Sequence, residues 1–521
     1  MKGFGLLLAL IVNFAAQASV INVPAAQPTI QAGINAANNG DTVLVAPGTY
    51  TENINFMGKA ITVKSSKGAS VTIVDGGSIA PVVTFNTSET SSSTLSGFTL
   101  QHGTSTPNSL YMGGGVFVYF ATPTIKSNII QYNTSCGGAG IGVYYGSPLI
   151  QGNTIQNNSI AACSGGAGQG ISVGGPSSAQ IIGNVIRNNT IPHGSCGGIS
   201  IGGESGPSLQ NNIVNGNVAG APGDSGTIGG GICILNVSLP NALPGHAVIV
   251  QNLIYGNTIY GGPVRGGAGI YAFVPSGAQP IFVNNTIVGS SSASQGSAVY
   301  ITGYDDQAQF FNNLLIGASG TNAVYCDGQY DQAPPMFTND DAYSANGTGM
   351  QGTCSGESSQ NGNISVNPFL VDGYHLRGGS PAVDIGDNSA PNLPATDLAA
   401  HPRVINGNGG ASAIVDLGAY EFVPVTVSPT SLSFGLQGVG SSTSKTVKLT
   451  NAQNKVLNIS SYSVPTGYAV TGCGSTLAAF LSCSLTVTFQ PLTSGTFKGT
   501  LTITDDAGNS PQMVGLSGSA H

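Results

Sequence analysis

GGGVFVYFATPTIKSNIIQYN (113–133) and GGAGIGVYYGSPLIQGNTIQNN (137–158) are two statements of one phrase: a glycine-led apolar triplet, a spacer, then apolar-x-x-Asn-x-apolar. The phrase runs on to residue 319, and its clearest column is Asn128, Asn153, Asn184, Asn212, Asn252, Asn285 and Asn313. Three positions before each Asn stands Ile125, Ile150, Ile181, Leu209, Ile249, Phe282 or Phe310. Two positions after it stands Ile130, Ile155, Ile186, Val214, Ile254, Ile287 or Leu315. Core letters kept at fixed offsets while loop lengths vary are the mark of a solenoid.

The repeat is β rather than helical. Apolar residues alternate with period two in short runs, as at Val116 and Val118, Ile141 and Val143, Ile171 and Val173, and glycine and asparagine are too frequent for helices. Residues between those pairs then face outward. Asparagine suits a bend in the left-handed backbone region, and stacked amides can bond coil to coil at about 1 kcal/mol each.

With those residues in place, the chain resembles the right-handed parallel β-helix proteins of the pectate-lyase-like superfamily. The fold class expected is all-β: a right-handed single-stranded parallel β-helix with an N-terminal cap helix, followed by an immunoglobulin-like β-sandwich. That architecture hosts lyases, hydrolases, esterases, adhesins and tailspikes, so the resemblance does not choose a chemistry.

Met1 to Ala18 reads as a secretory signal peptide: Lys2, an apolar run from Phe4 to Ala16, and a small-x-small end at Ala16-Gln17-Ala18. The apolar run is too short to span a bilayer. A secreted, extracellular or cell-surface location is therefore expected. With 13 basic and 21 acidic residues the net charge is -8, and no basic patch suits nucleic acid. Eight cysteines in an exported chain form disulfides. Cys473 with Cys483 and Cys326 with Cys354 are the natural pairs, whereas the pairing of Cys136, Cys163, Cys196 and Cys233, which open successive coils, stays open.

Ile30, Ile34 and Ala37 recur at helical spacing before Gly40, marking a short amphipathic cap over an otherwise open sheet edge. Residues 19–422 form the β-helix with its N- and C-terminal caps. Within them, NPFLVDGYHLRGGSPAVDIG (367–386) and VDLGAYEF (415–422) are similar to the closing segment of secreted β-helix proteins of the choice-of-anchor Q type, a surface-display architecture. Ion pairs among Asp384, Asp387, Asp397, Asp416, Glu421, Arg377, Arg403, His375 and His401 would lock that segment, although paired carboxylates also serve glycosidic acid and base catalysis. Residues 423–521 switch to alternating runs such as CSLTVTFQP and GTLTITD between turn residues, a sandwich pattern that resembles immunoglobulin-like domains of the abnormal-spindle and Hydin type.

For function, the outward column of the first strand reads Phe117, Gly142, Ser172, Ser200, Cys233, Tyr271, Tyr300, Tyr325. Coils stack about 4.8 Å apart, so Tyr271, Tyr300 and Tyr325 would line a glycan platform; the bland alternative is a tyrosine ladder that only stabilises the sheet. Arg265 is the nearest strong cation. Asp305, Asp306 and Asp327 are the candidate catalytic acids, and with Asp331 they make a candidate Ca2+ set, although no cofactor is required. The lyase, polygalacturonase and esterase motifs of the superfamily are missing. The expected function is a secreted or surface-displayed β-helix protein binding extracellular polysaccharide or cell-surface glycan along the first sheet. A polysaccharide lyase or glycoside hydrolase is the alternative, and a structural spike is the third reading.

Overall fold

The computed structural model describes residues 18–105, 113–160, 168–224, 227–235, 245–261 and 266–521. The leader up to residue 17, Cys163 and Arg265 lie outside the described residues.

Among the described residues, three parallel sheets of 11, 12 and 11 strands stack along one axis, with a short fourth sheet of 5 strands beside them. The first sheet holds the strand after each glycine triplet, from Ile54–Asn55 through Val116–Tyr119 to Thr348–Gly352. The second and third carry the letters on either side of each repeat asparagine, such as Thr124–Lys126 and Ile129–Gln131. Register follows the repeat columns: Ile125 pairs with Ile150, Ile150 with Ile181, and Ile181 with Leu209. These side chains are fully buried, and each such aliphatic contributes about 1.5–3 kcal/mol by leaving water. Farther along the same row the aliphatics give way to stacked rings, Phe282 on Phe310 at 4.4 Å and Phe310 on Phe337 at 4.6 Å.

The asparagine column is a buried ladder. Asn153 donates from its backbone N and its Nδ2 to Asn184 Oδ1 at 2.9 and 3.0 Å, and its Nδ2 also reaches the carbonyl of Ile125 at 2.9 Å. The left-handed residue is not the ladder asparagine, as the sequence suggested, but the one before it: Ser127, Gly152, Gly183, Asn211, Gln251, Asn284 and Asn312 all have φ between 51 and 63°. The reason is geometric. The bend must turn the chain before the amide can point inward and along the axis, so the residue outside the core takes the unfavourable φ. A second ladder, five residues on, runs through Asn133, Asn158, Asn189, Asn217 and Asn257, with bonds of 2.9 to 3.1 Å.

Helix Ile30–Ala36 covers the first coil with Ile30 and Ile34 buried. Thr29 caps it by accepting from Ala32 N at 3.0 Å, and the Glu52 carboxylate takes the amides of Ile30 and Gln31 at 2.9 Å each. At the other end, the 3-10 turn Thr353–Ser359 brings Cys354 to Cys326, closing the last coils with a disulfide.

Residues 367–422 form an irregular strap along the flank of the β-helix instead of a lid on its end. Asn339 holds Ile385 O at 2.7 Å, Asn312 exchanges two bonds with Asp387, Gln251 holds Thr396 O at 2.8 Å, and Asn284 holds Asp416 O at 3.0 Å. The receptor groups are the left-handed residues themselves. Where the strap docks they are Asn or Gln; where it does not, Ser127, Gly152 and Gly183 suffice. Inside the strap, Arg403 is 1% exposed, with Nε 3.4 Å from Glu421 Oε1 and Nη2 donating to the carbonyls of Asp416 and Gly418.

Residues 425–520 form a β-sandwich of two sheets, of 4 and 5 strands, around Val447, Leu449, Val487, Phe489, Leu501 and Val514. Most pairings are antiparallel, and Ser431–Gln437 alone runs parallel to Gln512–Ala520. Cys473 bonds Cys483.

Candidate functional site

The first sheet delivers its outward column in register: Phe117, Gly142, Ser172 and Ser200 pair in turn, and Cys233, Tyr271, Tyr300 and Tyr325 continue the row. Much of this column is covered. Cys196 bonds Cys233, Cys136 is disulfide-bonded too, and the glycines that open each coil lie over the strand. A side chain at Gly266 would overlap the Tyr300 ring, which is one reason that position is glycine.

The three tyrosines stack. Tyr271 and Tyr300 have centroids 5.4 Å apart at 13°, and Tyr300 and Tyr325 lie 5.3 Å apart at 23°. Rings stacked along the axis hide their faces in one another, and Tyr300 is only 8% exposed. The row is thus a ladder whose edges, not faces, look outward. Tyr300 Oη donates to Asp327 Oδ2 at 2.7 Å. Burial pushes the Tyr271 phenol up to about 12 and Tyr300 higher still, with the Asp327 carboxylate adding to both.

Beyond that ladder the chain builds an exposed aromatic rim that sequence reasoning missed. Tyr304 and Tyr330 are 42% and 52% exposed, their rings 6.4 Å apart, and Tyr330 meets Phe273 edge-on at 5.5 Å. Both tyrosines sit in turns outside the repeat, so no column marked them; Tyr304 directly follows strand Val299–Gly303 and precedes the turn Asp305–Gln307.

The carboxylates divide into distinct environments. Asp305 is fully buried, and neither carboxyl oxygen has a hydrogen-bond partner. Desolvation first, then the nearby carboxylates of Asp331, Asp306 and Asp327, raises it to about 7. Exposed Asp306 is raised by desolvation and by its interaction with the neighbouring Asp331 carboxyl. Asp331 is lowered, chiefly by the backbone N of Ala333, which donates to its Oδ1 at 3.0 Å. Asp327 accepts from Tyr300 and, at 3.1 Å, from Gln329 N. The four aspartates therefore share one neighbourhood, but among the described residues no group of three or more His, Cys, Asp or Glu side chains is arranged to hold a metal ion.

Comparison with known proteins bears on the scaffold. Residues 32–242 match the family described as right handed beta helix region. Residues 423–513 match the family described as Abnormal spindle-like microcephaly-assoc'd, ASPM-SPD-2-Hydin. No curated protein matches the chain. Among solved structures, the chain is similar to a protein of unknown function from Porphyromonas gingivalis W83 at 13% identity and a TM-score of 0.17, over 18% of this chain and 46% of that one. It is also similar to the VesB protease of Vibrio cholerae at 16% identity and a TM-score of 0.17, over 23% and 42% of the two chains. The secreted serine protease VesC of Vibrio cholerae matches at 17% identity and a TM-score of 0.14, over 17% and 21%. The chain thus spans less than half the length of each of these structures. Among the described residues no helix is long and apolar enough to cross a membrane. The protein accordingly joins a right-handed parallel β-helix, family-matched over residues 32–242, to a C-terminal Abnormal spindle-like, ASPM-SPD-2-Hydin domain.

Proposed function

We propose that this is an extracellular β-helix protein that binds glycan at the C-terminal end of its first sheet. The observation that carries the reading is the two exposed tyrosines, Tyr304 and Tyr330, facing each other at 6.4 Å, each next in sequence to the turn that carries Asp306 or Asp331, with Tyr330 packed on Phe273 beside the tyrosine ladder. Tyrosine offers sugars an apolar face with a polar edge, and exposed carboxylates accept from their hydroxyls. The leader-like Met1 to Ala18 and the disulfides fit export to an oxidising compartment, and the sandwich and strap fit display at a cell surface.

A glycan array probed with the native chain and with the double variant Tyr304→Ala/Tyr330→Ala tests this. Binding by the native chain that the variant loses is the expected result. Equal signals from both would overturn the site.

A second reading, polysaccharide cleavage, is favoured by one observation: the Asp305 carboxyl is buried without a partner and raised to about 7, the range a proton donor working near neutrality needs. Release of reducing ends by the native chain but not by Asp305→Asn is the expected outcome of that reading, and an inactive native chain removes it.

A further inference from the structure

The sandwich has two unlike ends. Its near end meets the strap: Gly378 packs on Ala452, Gly508 on Asn406, and the Arg377 guanidinium lies 4.5 Å over the Phe480 ring. The far end is a single tip made by two turns and the last residue. Gly440 N donates to Pro491 O at 2.8 Å, Val439 N to His521 O at 3.1 Å, and His521 N to Gln437 O at 3.1 Å. Three large apolar side chains stand out from this tip, Leu436 at 63%, Val439 at 47% and Leu492 at 76% exposure.

Charge is unevenly divided, and within the sandwich Lys455 lies at the near end beside Gly409 and Asp506 whereas Lys445 and Lys498 lie toward the tip. From residue 424 to 504 there is no Asp or Glu, while Lys445, Lys448, Lys455 and Lys498 fall in that span. The only acids of residues 423–521, Asp505 and Asp506, sit at the near end, where Asp506 Oδ1 accepts from Asn458 N at 2.9 Å. Counting Lys and Arg against Asp and Glu, residues 423–521 carry 4 − 2 = +2 and the remainder 9 − 19 = -10. Exposed Lys445 and Lys498 each lie two or three residues inside the strands Thr443–Asn451 and Gly495–Asp505, which start at the tip.

We infer that this tip is a docking surface for an anionic lipid bilayer, with Val439 and Leu492 entering the interface and Lys445 and Lys498 meeting headgroup phosphates. Projecting apolar side chains beside cations are the chemistry that partitions into a charged interface. A basic tip on an acidic body orients the molecule: the β-helix is repelled from the same surface and stands away from it, leaving the Tyr304 and Tyr330 rim free. This inference does not depend on glycan binding.

The test is co-sedimentation of the full chain with vesicles of phosphatidylglycerol and phosphatidylcholine, against phosphatidylcholine alone. Pelleting with the anionic vesicles, reduced at 0.5 M salt, is expected. Val439→Asp/Leu492→Asp should reduce it at least tenfold, and Lys445→Ala/Lys498→Ala by roughly fivefold per lysine removed. Both sets of positions are exposed, and circular dichroism verifies folding. Failure of the native chain to pellet, or equal pelleting of the aspartate variant, overturns the inference. So does a dimer seen by light scattering that the aspartate variant abolishes without any vesicle binding, since the tip would then pair with a second copy.

Discussion

The Oδ1 of Asn184 takes two hydrogen bonds from Asn153, one from the backbone N at 2.9 Å and one from Nδ2 at 3.0 Å, while Asn184 itself donates in the same way to Asn212 at 2.9 and 3.0 Å. Each rung thus satisfies the one before it, and a missing rung strands donors on one side and a carbonyl on the other. Asn184→Ala is expected to cost about 2–4 kcal/mol, because buried donors left unpaired each lose about 1–3 kcal/mol. Gln180→Ala, exposed on the adjacent strand, should stay within about 0.5 kcal/mol. Urea unfolding monitored by circular dichroism compares the two.

The position before each rung makes a purely conformational demand. Gly152 has φ +62°, and a Cβ there would meet nothing within 4 Å, so Gly152→Ala isolates the backbone term. A loss of about 1–2 kcal/mol is expected, with Gly152→Asn losing less. Thermal unfolding of the two variants should rank them in that order.

Asn312 joins strap to helix through Oδ1 to Asp387 N at 2.7 Å and Nδ2 to Asp387 O at 3.1 Å. Asn312→Ala should loosen the strap locally and leave the coils intact. Limited proteolysis with mass-spectrometric mapping is expected to show new cuts between residues 386 and 411, with β-sheet circular dichroism unchanged.

The last coils bury carboxyls that prefer their protons. Desolvation raises Asp340 and Asp341 to about 7 and about 8, and Asp340 continues the ladder, its Oδ1 accepting from Asn313 N at 2.6 Å while its own N donates to Asn363 Oδ1 at 2.9 Å. The folded state holds these protons more tightly than the unfolded chain, whose carboxyls titrate near 4. Their contribution is therefore complete below about pH 4 and is lost as pH rises to about 8. Asp341→Asn removes one titrating group, so its stability relative to the native chain should improve across that window by up to a few kcal/mol. A flat difference between pH 4 and 8 would contradict this.

The repeat columns are legible in the sequence, and the groups held in loops and turns are not. The columns through Ile125 and Asn128 fixed the register of the second sheet, since core letters at constant offsets leave one way to stack. The second ladder was also legible: an Asn five residues after the first recurs in QYN, QNN and RNN. It lies beyond the apolar pair that frames each repeat, so the first column does not mark it. The outward direction of Tyr300 followed from alternation, but its burial depended on glycine-rich loops that pass over it, and no strand pattern encodes those. Tyr304 and Tyr330 had no periodic signal because they stand in turns. The strap's path was hidden in the change from Gly152 and Gly183 to Asn284 and Asn312, a change of hydrogen-bonding capacity at a position where only backbone shape was being read.

Affinity electrophoresis through gels containing neutral or acidic polysaccharide asks most directly whether the rim at Tyr304 and Tyr330 holds sugar. The native chain is expected to be retarded by at least one of them, and Tyr304→Ala/Tyr330→Ala to run as in a polysaccharide-free gel. Native and variant chains slowed to the same extent would contradict the assignment.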